Sequence, residues 1–135
     1  MIGLLLIDHG SRRDEANEML WHVATLVEQL AGGDVVVCPA HMELAEPTIA
    51  QGFAQCVARG ATEVVAVPYM LSPGRHSTND IPKFVEQAAR EFPGTSYRVA
   101  EPLGIDARLA EVVLTRAGVD NVEAIQCCRP SQQSC

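Results

Sequence analysis

The sequence predicts an α/β fold, a doubly wound parallel sheet of four strands with helices on both faces. Two observations carry this expectation. Short apolar runs, partly β-branched, stand at residues 3–8 (GLLLID), 34–38 (DVVVC), 63–68 (EVVAVP) and 96–100 (SYRVA); strands buried on both faces of a parallel sheet read this way. Between and after them lie segments with apolar residues at helical spacing, so four strand–helix units follow one another in series.

The first run ends at Asp8, and the segment 14–31 follows with Ala16, Met19, Leu20, Val23, Leu26, Val27 and Leu30 on one stripe. Gly32 and Gly33 stop it. After the second run, Pro47 is expected to open a helix as a first-turn proline, with Ile49, Phe53 and Val57 inward and Gly60 as its end. The third helix is expected from about Asp80 to Glu91, with Ile81, Phe84, Val85 and Ala88 on one side. The fourth starts near Asp106, carries Leu109, Val112 and Val113, and stops at Gly118. Residues 1–118 form one domain on this reading, and 119–135 is a polar tail bearing Cys127, Cys128 and Cys135.

Composition narrows the function. An apolar fraction of 47% supports a full core, and with aromatics at 4% that core must be aliphatic. Seventeen acidic against ten basic residues give a net charge of −7, which disfavours nucleic acid, because phosphate binding needs a basic face. No stretch reaches the about 18 apolar residues of a membrane span, and the run at 2–7 is too short for a signal-peptide core. The expected location is the cytoplasm, with no membrane partner. Five cysteines at irregular spacing do not form a disulfide framework. Cys38 and Cys56 sit in apolar segments, as small core residues do.

In an open α/β sheet, ligands bind beyond the carboxyl ends of the strands. Three loops leave such ends with polar groups: Asp8-His9-Gly10-Ser11-Arg12-Arg13, Ala40-His41-Met42-Glu43 and Ser72-Pro73-Gly74-Arg75-His76-Ser77-Thr78. With strand order 2-1-3-4, His9 and His76 would face each other across the switch point, and Glu43 would arrive from strand two. Two imidazoles and a carboxylate suit a divalent first-row metal and equally suit proton transfer near neutrality. Arg12, Arg13 and Arg75 suit carboxylate or phosphate recognition. Gly10 and Gly74 allow close backbone approach to a large ligand. There is no G-x-S-x-G, Walker A or G-x-G-x-x-G sequence, so neither a serine nucleophile nor a nucleotide cofactor has support. A histidine phosphatase would need arginine, not Asp8, before His9.

Taken together, "LLLIDHGSRRDEAN", "MELAEPTI", "VPYMLSPGRHSTNDIP" and "EPLGID" resemble the sirohydrochlorin chelatase family in its short single-domain form, over about residues 2–118. The resemblance implies insertion of a divalent metal, as substrate, into sirohydrochlorin without ATP, on routes to sirohaem, cobalamin or a nickel tetrapyrrole. Co²⁺ is put first, then Fe²⁺, with Ni²⁺ behind. His9, His76 and Glu43 are implied as metal ligands and proton acceptors. Arg12, Arg13 and Arg75, with Gly10, Ser11 and Gly74, are implied to hold the carboxylate-rich macrocycle, and a homodimer to enclose it. The alternative is a non-catalytic metal or tetrapyrrole carrier with the same site. Two features depart from the family pattern. His41 is either a further ligand or a solvated side chain, and the tail cysteines match no standard zinc or iron–sulfur spacing. His22, off the apolar stripe, is expected at the surface.

Overall fold

The computed structural model describes residues 1–72 and 74–119, with the backbone alone over 75–78. Cys127, Cys128 and Cys135, and the rest of the expected tail beyond Val119, lie outside the described residues. The chain divides into two compact units, Met1–Leu103 and Gly104–Cys135.

The first unit holds strands β1 (Ile2–Asp8), β2 (Val35–His41), β3 (Glu63–Pro68) and β4 (Ser96–Val99), with helices α1 (Asp14–Ala31), α2 (Ile49–Ala58) and α3 (Arg75–Ala89) between them. All strand pairs are parallel, in the order β2-β1-β3-β4, as the sequence predicts. Alternate residues of β1 serve opposite faces. Leu5 and Ile7 join Cys38, Ala40, Phe53, Val64, Ile81 and Val85 under α2 and α3, and Leu6 joins Leu20, Ala24 and Val37 under α1. Helices therefore cover both faces, as expected. The Phe53 and Phe92 rings stack at 5.8 Å between centroids. Gly52 lets α2 lie directly on the sheet, since a Cβ there would come within 2.6 Å of Leu5 Cδ1.

Three boundaries and one apolar stripe depart from the sequence reading. β2 runs on through Pro39 to His41, which an edge strand tolerates because one side makes no ladder bonds. Pro47 is not a helical residue. Its carbonyl accepts the His41 N–H at 2.8 Å, so residues 42–47 form a bent connection and the helix waits for Thr48, which caps α2 in a reciprocal capping box with Gln51. α3 starts at Arg75 rather than near Asp80, and Pro82 lies inside it. The stripe on α1 is also narrower than expected: Leu20 and Ala24 are buried, while Met19, Leu26 and Leu30 are exposed. His22 is exposed, as expected.

The second unit contains α4 (Ala107–Ala117), between the N-cap Asp106 and Gly118, as predicted. Arg108 grips the Asp106 carboxylate through Nε at 2.8 Å and Nη2 at 2.7 Å. Those bonds and the Arg108 backbone N–H hold the Asp106 carboxyl down at about 2. No helix among the described residues is long and apolar enough to cross a membrane.

Candidate active site

The site grows from the carboxyl edge of the two strands where β1 meets β2. Their pairing does not stop with the strands. Beyond the register pair Asp8–His41, Met42 N–H donates to the Asp8 carbonyl at 2.8 Å and Glu43 N–H donates to the His9 carbonyl at 3.1 Å. The backbones of His9 and Glu43, 34 residues apart in sequence, are thereby fastened to one another, with both side chains exposed. Gly10 makes this possible. It turns at φ +90, and a Cβ there would stand 1.8 Å from the Glu43 carbonyl oxygen. No residue with a side chain fits that turn.

Ser11 carries the chain from the turn into α1. Asn17 clasps it from the first turns of that helix: Ser11 N–H donates to Asn17 Oδ1 at 3.0 Å, and Asn17 Nδ2 donates to the Ser11 carbonyl at 2.7 Å. Arg13 N–H donates to Ser11 Oγ at 3.0 Å. The Arg12 and Arg13 side chains are exposed and form no ion pair with a described residue. Arg12 borders a groove of about 350 Å³ that also carries Asp14, Glu18 and Glu46, so acidic groups bound the reach of this guanidinium on one side.

The third expected loop is different in kind. Tyr69 N–H donates to the Ile7 carbonyl at 2.6 Å, so the chain leaves β3 beside β1, and Gly74 then caps α3. Arg75 and His76 are thus the first two residues of a helix, not loop residues. Their side chains lie outside the described residues. No three His, Cys, Asp or Glu side chains come together to hold a metal ion among the described residues, and the expected set of His9, Glu43 and His76 has one member beyond that description.

His41 is neither solvated nor free to act as a second-edge ligand through Nδ1. It is the one polar side chain buried outright among the described residues, and its Nδ1 lies 2.6 Å from Asp8 Oδ1. With the carboxylate accepting, the ring carries a proton on Nδ1. Nε2 is buried and finds no hydrogen-bond partner among the described residues. The pair locks the ends of β1 and β2 together directly beneath His9 and Glu43, a role that reading the residues alone did not find. Its only sequence signal is a carboxylate and an imidazole ending adjacent strands in register. Asp8→Ala leaves the buried ring without its partner, an expected cost of about 1–3 kcal/mol. The check is the urea midpoint, which is expected to fall at unchanged m-value; an unshifted midpoint would contradict the assignment.

In known proteins, residues 3–118 match the CbiX family. The chain is 46% identical to the chloroplastic sirohydrochlorin ferrochelatase of Arabidopsis thaliana over 114 residues, 84% of this chain and 50% of that protein. It is 33% identical to the sirohydrochlorin cobaltochelatase of Methanosarcina acetivorans over 122 residues, 85% of this chain and 93% of that one. Among solved structures, the sirohydrochlorin chelatase SirB of Bacillus subtilis subspecies spizizenii, in complex with cobalt, matches with a TM-score of 0.73 at 30% identity, covering 87% of this chain and 50% of SirB. The chain spans about half the length of the plant relative and of SirB, and nearly all of the Methanosarcina protein.

Proposed function

The chain belongs to the CbiX family of sirohydrochlorin chelatases, and from that premise we propose that it is an enzyme inserting a divalent metal into sirohydrochlorin without a nucleotide. The observation that carries this is the backbone bond from Glu43 to the His9 carbonyl at the carboxyl edge of the sheet. It fastens together the backbones that carry an imidazole and a carboxylate, both of them exposed. Co²⁺ and Fe²⁺ are the metals supported by the names of the relatives; Ni²⁺ is supported only by the preference of imidazole for such ions.

Insertion requires an M²⁺ held against the macrocycle while two pyrrole N–H protons leave. In this proposal His9 and His76 hold the incoming ion and accept those protons, as positioned imidazoles can do. Glu43 offsets the ion's charge beside His9. Arg12, Arg13 and Arg75 pair with the substrate's carboxylates, with Ser11 and Gly74 beside them at the ring, while the close approach that Gly10 allows is taken up by the Glu43 carbonyl. The test is metal insertion followed by absorbance, with metal-free protein, sirohydrochlorin and each of Co²⁺, Fe²⁺ (anaerobic) and Ni²⁺. Acceleration over the protein-free rate is expected with Co²⁺ or Fe²⁺; no acceleration with any of the three would overturn the proposal.

The same reading makes the protein a homodimer in the cytoplasm. α1 leaves Met19, Leu26 and Leu30 exposed on one side, an apolar surface that pairing would cover. Sedimentation is expected to give twice the chain mass, falling to one chain mass for Leu26→Glu. A wild-type monomer at micromolar concentration would contradict this.

A further inference from the structure

Asp8 and His41 form a polar pair that the needs of folding do not account for. The His41 side chain is fully buried and that of Asp8 is 22% exposed, and Nδ1 and Oδ1 meet at 2.6 Å. Nε2 is left in the interior with no partner among the described residues. Burying an imidazole with one nitrogen unpaired destabilises the fold, and an apolar side chain of like volume would pack there without that loss. A buried polar group that breaks this rule of packing points to a duty other than stability.

The position of the pair says which duty. Asp8 ends β1 and His41 ends β2, opposite one another in the sheet register. His9 follows Asp8 directly, and Glu43 stands two residues beyond His41. At about 3.3 Å per residue, the pair lies within about 7 Å of both along the chain. His41 also closes the base of the segment that bears Glu43. Its N–H donates to the Pro47 carbonyl at 2.8 Å, and it forms an isolated parallel bridge with Thr48, so residues 42–47 make a loop pinned at His41. The Gly10 turn crowds the same side chain, since a Cβ at Gly10 would come within 3.2 Å of the His41 Cβ. The backbone bonds from Met42 to Asp8 and from Glu43 to His9 lie in the plane of the sheet and act as a hinge line. Side chains stand out of that plane, so the Asp8–His41 bond resists rotation about it.

We propose that Asp8 and His41 are positioning residues for metal insertion, holding the backbones of His9 and Glu43 at one separation and twist so that both side chains reach the same ion. This rests on the role proposed above for His9 and Glu43. Neither Asp8 nor His41 touches the ion or the macrocycle; they act through the residues that do. Misplacing a reacting group by about 1 Å costs on the order of 10²-fold in rate. Losing a group that orients a metal ligand costs about 10–100-fold in metal affinity or activity.

Three variants of the full chain test this. Asp8→Val with His41→Leu replaces both partners by apolar groups, a change close to neutral for stability. His41→Asn keeps an N–H where Nδ1 stood, whereas His41→Gln carries it one bond further out. Insertion assays give kcat and KM, equilibrium dialysis of the protein with Co²⁺ alone gives the metal Kd, and urea midpoints report folding. For the double variant and for His41→Gln, kcat is expected to fall and the Co²⁺ Kd to rise by about 10–100-fold. KM for sirohydrochlorin is expected to stay, and the midpoint of the double variant to stay near wild type. His41→Asn is expected to recover most of both losses. Should the double variant not fold, His41→Asn against His41→Gln decides, since both bury the same amide. Wild-type kcat and Co²⁺ Kd in His41→Gln would overturn the proposal, as would His41→Asn doing no better than His41→Gln. His9→Ala in the same assay tells two failures apart. If it inserts metal at the wild-type rate, the role of His9 is wrong and the positioning role falls with it; if it is inactive while the pair variants match wild type, only the positioning role falls.

Discussion

His9→Ala is expected to abolish nearly all metal insertion while leaving the fold as stable as before. The imidazole is exposed, and its backbone carbonyl, which Glu43 N–H uses, survives the substitution. An exposed side chain away from packing and caps changes stability by about 0.5 kcal/mol or less. Losing a positioned proton acceptor, the role proposed for His9, costs roughly 10²–10⁴-fold in rate. Initial insertion rates and a thermal melt on one preparation check both halves. A rate near wild type would remove His9 from the site, and a large drop in melting temperature would mean that it is structural.

Gly10→Ala should fail in the opposite manner, losing fold and activity together. The methyl group would be placed 1.8 Å from the Glu43 carbonyl oxygen and 3.0 Å from its carbon, so backbone must move rather than a flexible side chain. A non-glycine residue at φ +90 adds about 1–2 kcal/mol of its own. Displacing the Glu43 segment also strains its bond to the His9 carbonyl, a further cost of about 1 kcal/mol. A loss of about 3 kcal/mol or more is a large share of the about 5–15 kcal/mol that holds a domain together. Denaturant midpoints measure it, and a midpoint equal to wild type would show that the turn is not as tight as the structure has it. The two variants one residue apart thus separate chemistry from scaffold.

The strands and most of the helices were legible because buried parallel strands and amphipathic helices write their periods into the apolar residues. Leu5 and Ile7 on one face, with Leu6 on the other, are the plain case. What escaped was written in polar residues. The first turns of α3, residues 75–80, contain no apolar residue to mark a face, so the apolar pattern marks the helix only from about Asp80. Pro47 looked like a helix opener because its tie to the His41 N–H is a tertiary bond with no local trace. The stripe on α1 was read too wide, because apolar residues on an exposed face look the same in sequence as those in a core. The placement of His9 and Glu43 at one edge follows from strand order, which the alternating pattern implied. The burial of His41 on Asp8 does not, since it depends on register between strands.

Counting turnovers tests the central claim most directly. Wild-type protein at one-twentieth of the sirohydrochlorin concentration, with excess Co²⁺ or Fe²⁺, is followed by absorbance until the spectrum stops changing. An enzyme is expected to convert all of the macrocycle, giving metallated product far beyond the protein present, with His9→Ala at the uncatalysed rate. A fast phase that ends at one equivalent of product per site, followed by the uncatalysed rate, would contradict catalysis and leave a protein that only binds metal or tetrapyrrole.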